Sequence, residues 1–305
     1  MSDGVVSVSP ARGWRRRAGV IADAFKLRIG SEITLAAAAG AALMPGPGIG
    51  WGRLTAVLAA VLLASAAAGA YNQYAERDID ARMQRTRQRP FVTGEFAGGR
   101  RWLLVLGALV ASAALLAAAA ANWMAAGFTL LGAFTYGVVY TVWLKRRTAL
   151  NIVFGGFAGT FAVLAGAAAV DTHLSAEALI FSLALFFWTP PHFWSLALYN
   201  RQDYERAGVP MLPALIAPKA TGRIVAAHVV VVVALSLAPA LFDAGIWYTV
   251  PAAVGGAYFL HAALRLAQDP TRARAWTCFK ASLVQLSLLL LGALADGIAA
   301  GRLSA

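Results

Sequence analysis

The chain has 305 residues, 60% of them hydrophobic and 13% charged, with a mean hydropathy of +0.66 and a formal net charge of +12. That balance excludes a soluble domain of this size and identifies a polytopic membrane protein. A single cysteine, Cys278, excludes both a disulfide framework and a thiolate metal centre and reads as a small packing residue.

Residues 1–30 are polar and carry Arg12, Arg15, Arg16, Arg17, Lys26 and Arg28. They lack the short apolar core and small-residue cleavage site of a secretory signal, so they read as a cytoplasmic N-terminal segment, with 31–305 as a single transmembrane domain. Apolar stretches follow at 31–49, 53–75, 102–121, 123–143, 149–170, 175–198, 223–243, 246–266 and 279–300. Each is near the roughly 20 residues a bilayer requires, which predicts an all-α bundle of nine transmembrane helices. Turn chemistry at 45–48, at Asn122, at 171–173 and at 243–245 separates several of them. Nine alternating spans place 24 of the 26 Lys and Arg residues on one side and only Arg53 and Arg302 on the other. Cations accumulate on the cytoplasmic face, so the N-terminus is expected inside and the C-terminus outside, whereas eight spans would put basic loops on both faces. Topology thereby accounts for the positive charge, and no nucleic-acid partner is expected. Ala- and Gly-rich spans, such as 35–43 and 155–169, predict close helix approach.

Polar chemistry first concentrates at 71–90, where the second span becomes YNQYAERDIDARMQRTRQRP. Asn72, Glu76 and Asp80 stand at i, i+4 and i+8, so a helix continuing through them puts three oxygen-bearing groups on one stripe. Arg77, Arg82, Arg85, Arg87 and Arg89 exceed what those carboxylates neutralise and call for a further anion. Carboxylate and amide oxygens suit a hard divalent cation such as Mg²⁺, which shares its shell with substrate phosphates, and guanidinium groups bind the same phosphates. Metal–diphosphate chemistry is one reading, and a basic loop that only fixes topology is the other. Carboxylates at helical spacing where the span leaves the bilayer favour the first.

Two further stretches carry polar groups. YTVWLKRRTALNIVFGG after the fourth span offers Tyr140, Lys145 and Asn151, with Lys145 either a phosphate clamp or a lysine snorkelling from a helix end. Gly155, Gly156 and Gly159 read as helix contacts. The sixth span ends FFWTPPHFWSLALYNRQDYERAGVPMLP. Pro190 and Pro191 distort it inside the bilayer and free carbonyl groups, and His192 beside them is either a packing residue or a functional one. Asn200 and Asp203 lie one turn apart, near Arg201 and Arg206.

These three stretches resemble the UbiA-type intramembrane prenyltransferases and, within them, the protohaem farnesyltransferase branch, over nearly the whole chain from Phe25 onward. The family's N-x-x-x-D-x-x-x-D pattern falls on Asn72, Glu76 and Asp80, with Glu76 departing from the usual aspartate. Its second pair of aspartates falls on Asn200 and Tyr204, with Asp203 the nearby acid, and Leu27 replaces a proline common at the family's start. The resemblance implies Mg²⁺-dependent transfer of farnesyl from farnesyl diphosphate to a vinyl group of haem b, giving haem O for haem–copper terminal oxidases, in the bacterial cytoplasmic (inner) membrane. It implies Mg²⁺ on Asn72, Glu76, Asp80 and Asp203, these four acting with Lys145 as the catalytic set. Diphosphate is assigned to Arg82, Arg85, Arg89, Lys145 and Arg201, and the acceptor to His192, Trp194, Tyr199 and Asn200. Haem b is then a substrate and not a resident cofactor, and the partners are the two substrates, the lipid bilayer, and haem A synthase or terminal-oxidase assembly proteins. The alternatives are the same fold acting on a quinone precursor or a chlorin, and a non-catalytic haem or isoprenoid carrier.

Overall fold

The computed structural model describes residues 10–46, 48–96 and 99–303, and the regular structure among them is helical throughout. Pro47 of the expected 45–48 turn and the C-terminal Ala305 lie outside the described residues. An arginine-bearing helix, α1 (Pro10–Ala24), leads into α2 (Leu27–Ala42) and then α3 (Trp51–Ala75). Next come α4 (Arg101–Ala120), α5 (Trp123–Leu144), α6 (Asn151–Val170) and α7 (Ala176–Tyr199). A short α8 (Arg201–Ala207) precedes α9 (Pro218–Leu241), α10 (Ile246–Gln268) and α11 (Arg272–Ala299).

Eight of these, α3 to α7 and α9 to α11, are long and apolar enough to cross a membrane. The ninth expected span, 31–49, is instead the 16-residue α2, which begins within the predicted N-terminal segment and stops at Ala42. Pro45 and Gly46 follow, and Gly46 at φ 105° turns the chain back toward α3. At 1.5 Å per residue α2 is about 24 Å long. It still runs the depth of the bundle, since Lys26 at its start meets Asn72 while Ala42 at its end packs on Gly297. The last helix begins at Arg272 and not at 279, because its first two turns, which carry Arg272 and Arg274, precede the apolar stretch.

Consecutive long helices are neighbours, α2 against α3, α3 against α4, and so on to α10 against α11, and α11 packs back on α2 to close the ring. Small residues set the tightest crossing, between α2 and α6. A Cβ on Gly40 would stand 2.1 Å from the carbonyl oxygen of Val163, and one on Gly166 would stand 1.7 Å from that of Ala37. Tyr248, Phe181 and Phe259 fill the interior. Leu104, Leu115, Val254 and Leu291 face outward, as bilayer contact requires. Trp51, Trp123 and Trp247 stand exposed at the starts of α3, α5 and α10, all at one end, where indole rings suit a membrane interface. The polar stretches collect at the other end.

Candidate active site

Helix α3 ends at Ala75, and Glu76 has φ −101°, so the expected unbroken helix pauses before a short turn, Arg77–Asp80. The hydrogen-bond register survives the pause. Glu76 N–H donates to Asn72 O at 3.0 Å and Asp80 N–H to Glu76 O at 2.8 Å, so Asn72, Glu76 and Asp80 keep their common wall. All three are buried, at 1%, 0% and 2% exposure, which in so apolar a setting demands partners. Asn72 Oδ1 accepts from Lys26 Nζ at 2.5 Å, and its Nδ2 donates to Thr141 Oγ1 at 2.8 Å. Glu76 Oε2 pairs with Lys145 Nζ at 2.5 Å, and Arg89 Nη1 reaches both oxygens of Asp80 at 2.9 and 2.7 Å. Glu76 Oε1 is buried with no partner.

The end of α5, Thr135–Leu144, is a π-helix, and this winding is what brings Lys145 to the cluster. In an α-helix Tyr136 and Lys145 are two and a half turns apart and would face opposite ways. At about 4.4 residues per turn they are close to two turns apart and share a face. Thr141 Oγ1 donates to Tyr136 O at 2.7 Å and Lys145 N–H to Tyr140 O at 2.9 Å, both spanning five residues. Tyr136 and Tyr140 stack with centroids 5.8 Å apart, and Lys145 Nζ lies 5.5 Å from the Tyr140 ring centre. Asn151 is buried nearby, donating to Thr148 O at 2.6 Å.

Lys26, which the sequence shows only as one of several N-terminal cations, belongs to this site. It joins α1 to α2 in the left-handed region at φ 49°, and Nζ donates to Tyr136 Oη at 2.9 Å as well as to Asn72. Burial first, then the neighbouring Arg89 charge, pushes its ammonium down to about 7. The signal available in the sequence was its place beside Leu27, where the resemblance to the family begins. Leu27, which replaces the proline, sits at the first helical position, where proline is tolerated but not required.

A second cluster lies where α7 gives way to α8. Asp203 accepts from Arg206 Nη2 at 2.5 Å and from the Arg85 backbone N–H at 3.4 Å. It is not gathered with Glu76 and Asp80: among the described residues no group of three or more His, Cys, Asp or Glu side chains converges on one ion position. Arg85, Arg201, Arg206 and Arg272 line a cavity of about 610 Å³ together with Tyr199, Asn200 and Asp203. Arg201 is paired with Glu205, whereas the Arg82 side chain is exposed and makes no hydrogen bond or ion pair among the described residues. Neither Arg206 nor Arg272 was among the expected anion ligands; Arg272 arrives from the start of α11, far away in sequence.

From this cavity a column of stacked groups runs into the bundle between α7 and α11. Arg272 lies 4.4 Å from the Tyr199 ring, Tyr199 stacks on Trp276 at 4.9 Å, and Trp276 on Phe279 at 5.2 Å. Phe279 then meets His192 at 4.7 Å, and His192 meets Trp188 at 4.3 Å. Both faces of the His192 ring are therefore covered. Trp194 points elsewhere, two residues and about 200° farther round α7, onto His228 of α9. The four expected acceptor residues thus divide, with His192 and Tyr199 in the column, Asn200 at the cavity and Trp194 outside both. Ser195 Oγ donates to Pro191 O at 2.7 Å and lies 3.3 Å from Cys278 Sγ, whose thiol is buried against it in a packing role.

The pattern of the UbiA prenyltransferase family matches residues 33–289. Over 282 residues, 92% of this chain and 98% of its relative, the sequence is 54% identical to protoheme IX farnesyltransferase 2 of Paramagnetospirillum magneticum. The chain belongs to the UbiA prenyltransferase family. Solved structures share the family fold. One of digeranylgeranylglyceryl phosphate synthase superposes with a TM-score of 0.76 at 17% identity, covering 93% of this chain and 99% of that one. A UbiA homologue from Archaeoglobus fulgidus, bound to DMAPP and Mg²⁺, superposes with a TM-score of 0.67 at 18% identity, covering 86% and 97%.

Proposed function

We propose that this UbiA-family enzyme transfers the farnesyl group of farnesyl diphosphate to a vinyl group of haem b, giving haem O. The donor half rests on the buried cluster: Lys26, Arg89 and Lys145 converge on the wall of Asn72, Glu76 and Asp80, and Glu76 keeps one carboxylate oxygen unmatched. The acceptor half rests on likeness to protoheme IX farnesyltransferases.

The unmatched Glu76 Oε1 is a hard oxygen donor that suits a magnesium ion, and the Asn72 and Asp80 oxygens of the same wall would join it by exchanging Lys26 and Arg89. When bound, the ion would neutralise diphosphate charge; Asp203, tied to Arg206, would join only by exchanging that partner. The protein's own part is to hold the leaving group. Lys26 and Lys145 place ammonium groups at the diphosphate and Arg89 a guanidinium, so charge developing on the departing oxygen meets preorganised donors. The allylic C–O bond breaks with its electron pair leaving on diphosphate. The vinyl π electrons form the new C–C bond, and the cation left on the other vinyl carbon takes the oxygen of water, which gives up a proton. Burial of the isoprenoid tail among apolar side chains is favourable at about 25 cal/mol per Å². By the excess of cations on cytoplasmic loops, the basic end that carries this chemistry faces the cytoplasm on this reading.

Release of diphosphate by purified protein with farnesyl diphosphate and Mg²⁺, supplied in turn with haem b, 4-hydroxybenzoate and a chlorin, tests the reading. Haem b alone should drive release above background. Release driven equally by 4-hydroxybenzoate would move the enzyme to another acceptor, and no metal-dependent release would leave a carrier.

A further inference from the structure

Ser282 of α11 stands against His192, with the imidazole Nδ1 2.7 Å from its Oγ. The same hydroxyl donates to Phe279 O at 2.6 Å. A serine has one proton to give. The contact to a carbonyl oxygen needs it, since two oxygens at that separation without a proton between them repel. The proton in the His192 contact must then come from the imidazole, so Nδ1 carries hydrogen and Nε2 carries a lone pair. Nε2 makes no hydrogen bond among the described residues and is not among the sealed buried atoms. Trp188 and Phe279 cover both ring faces, and Trp188 Nε1 is itself tied to Ser282 O at 3.2 Å, so the ring has one orientation. It can meet a substrate only through its Nε2 edge, in the ring plane, along the lone pair.

On the acceptor reading above, we propose that His192 is the axial ligand of the acceptor's iron through Nε2, and that Ser282 is the positioning residue that fixes its tautomer and direction. A histidine that donates its second N–H to a fixed oxygen while presenting the other nitrogen is the usual arrangement of a metal-bound imidazole. The competing use of that lone pair is to take the proton of the water that ends the reaction. That role would leave an imidazolium between aromatic rings, with only a serine hydroxyl in contact and no carboxylate to stabilise it. Ligation leaves the imidazole neutral. The position also suits the substrate: His192 lies seven residues, about 10 Å along α7, from Tyr199 at the arginine-lined cavity. That is the span from a tetrapyrrole's centre to its acidic side chains.

Wild type, His192→Ala, Ser282→Ala and Ser282→Thr in nanodiscs are titrated with haem b and with metal-free protoporphyrin, and iron ligation is followed by absorbance and resonance Raman. Wild type should show a nitrogen-ligated iron, His192→Ala should lose it, and added imidazole should restore it. Ser282→Ala should bind haem b about 10-fold or more weakly with a lowered iron–imidazole frequency, as loss of a ligand's supporting hydrogen bond does. Ser282→Thr, which keeps the hydroxyl, should behave as wild type, and metal-free protoporphyrin should bind wild type and Ser282→Ala alike. Unchanged affinity for farnesyl diphosphate reports an intact fold in each variant; should His192→Ala not fold, the frequency in Ser282→Ala decides. Nitrogen ligation that survives His192→Ala overturns the proposal, as does equal weakening of haem b and metal-free protoporphyrin by Ser282→Ala. Wild type that takes up no haem b overturns the acceptor reading itself.

Discussion

At Lys26 a charged side chain is delivered by an unfavourable backbone. Its φ of 49° and ψ of 42° cost a residue with a Cβ about 1–2 kcal/mol, and that conformation turns the ammonium from the end of α1 onto Asn72 and Tyr136. Lys26→Ala and Lys26→Gly should both lose the contact to diphosphate. A charge-assisted hydrogen bond of about 1.5–3 kcal/mol corresponds to a fall of about 10- to 150-fold in kcat/KM for farnesyl diphosphate. Lys26→Gly alone relieves the backbone, so it should unfold at a higher temperature than Lys26→Ala. Equal unfolding temperatures would show that the turn is unstrained, and unchanged kcat/KM would remove Lys26 from the diphosphate site. The sequence displayed Asn72, Glu76 and Asp80 because helical spacing is a local property. Lys26 and Arg272 were hidden because their roles depend on which helices become neighbours.

Two helical elements decide the site, and they were legible to different degrees. The i, i+4, i+8 stripe at the end of α3 survives its break at Glu76 because the backbone bonds continue across it. The π-helical end of α5 could not be read from hydrophobic period, since 135–144 carries no charged residue and its two Thr and two Tyr are too few and too amphipathic to time the winding. Close packing at the α2–α6 crossing was announced by the Ala- and Gly-rich sequences, and it makes a prediction at this scale. Gly40→Ala or Gly166→Ala drives a methyl group into a facing carbonyl and should destabilise by about 1–3 kcal/mol or more, seen as a lower unfolding temperature in detergent. Gly127→Ala in α5 meets nothing within 4 Å and should not lower it. A Gly166→Ala protein as stable as wild type would mean that α2 is not seated against α6 as described. Since α2 carries Lys26 to the site, the crossing variants should also lose affinity for farnesyl diphosphate.

Across the whole molecule, a ring of consecutive helices places every basic loop at the end that holds the site. The all-helical bundle was legible from composition and span length, but the short α2 was not separable from the turn that follows it, because residues 43–49 remain largely apolar. Reporters inserted in the 76–101 and 199–223 loops should read as cytoplasmic, and one fused after residue 305 should be active outside; a cytoplasmic C-terminus would contradict the nine-helix crossing pattern. The central claim is that one end of this bundle joins an allylic diphosphate to a macrocycle. The most direct measurement is a mass spectrum of haem recovered after incubating the purified protein with haem b, farnesyl diphosphate and Mg²⁺. The account predicts haem that has gained the elements of one farnesyl group and one hydroxide, with the gain abolished in Asp80→Asn. Recovered haem of unchanged mass, from protein shown to bind both substrates, would contradict it.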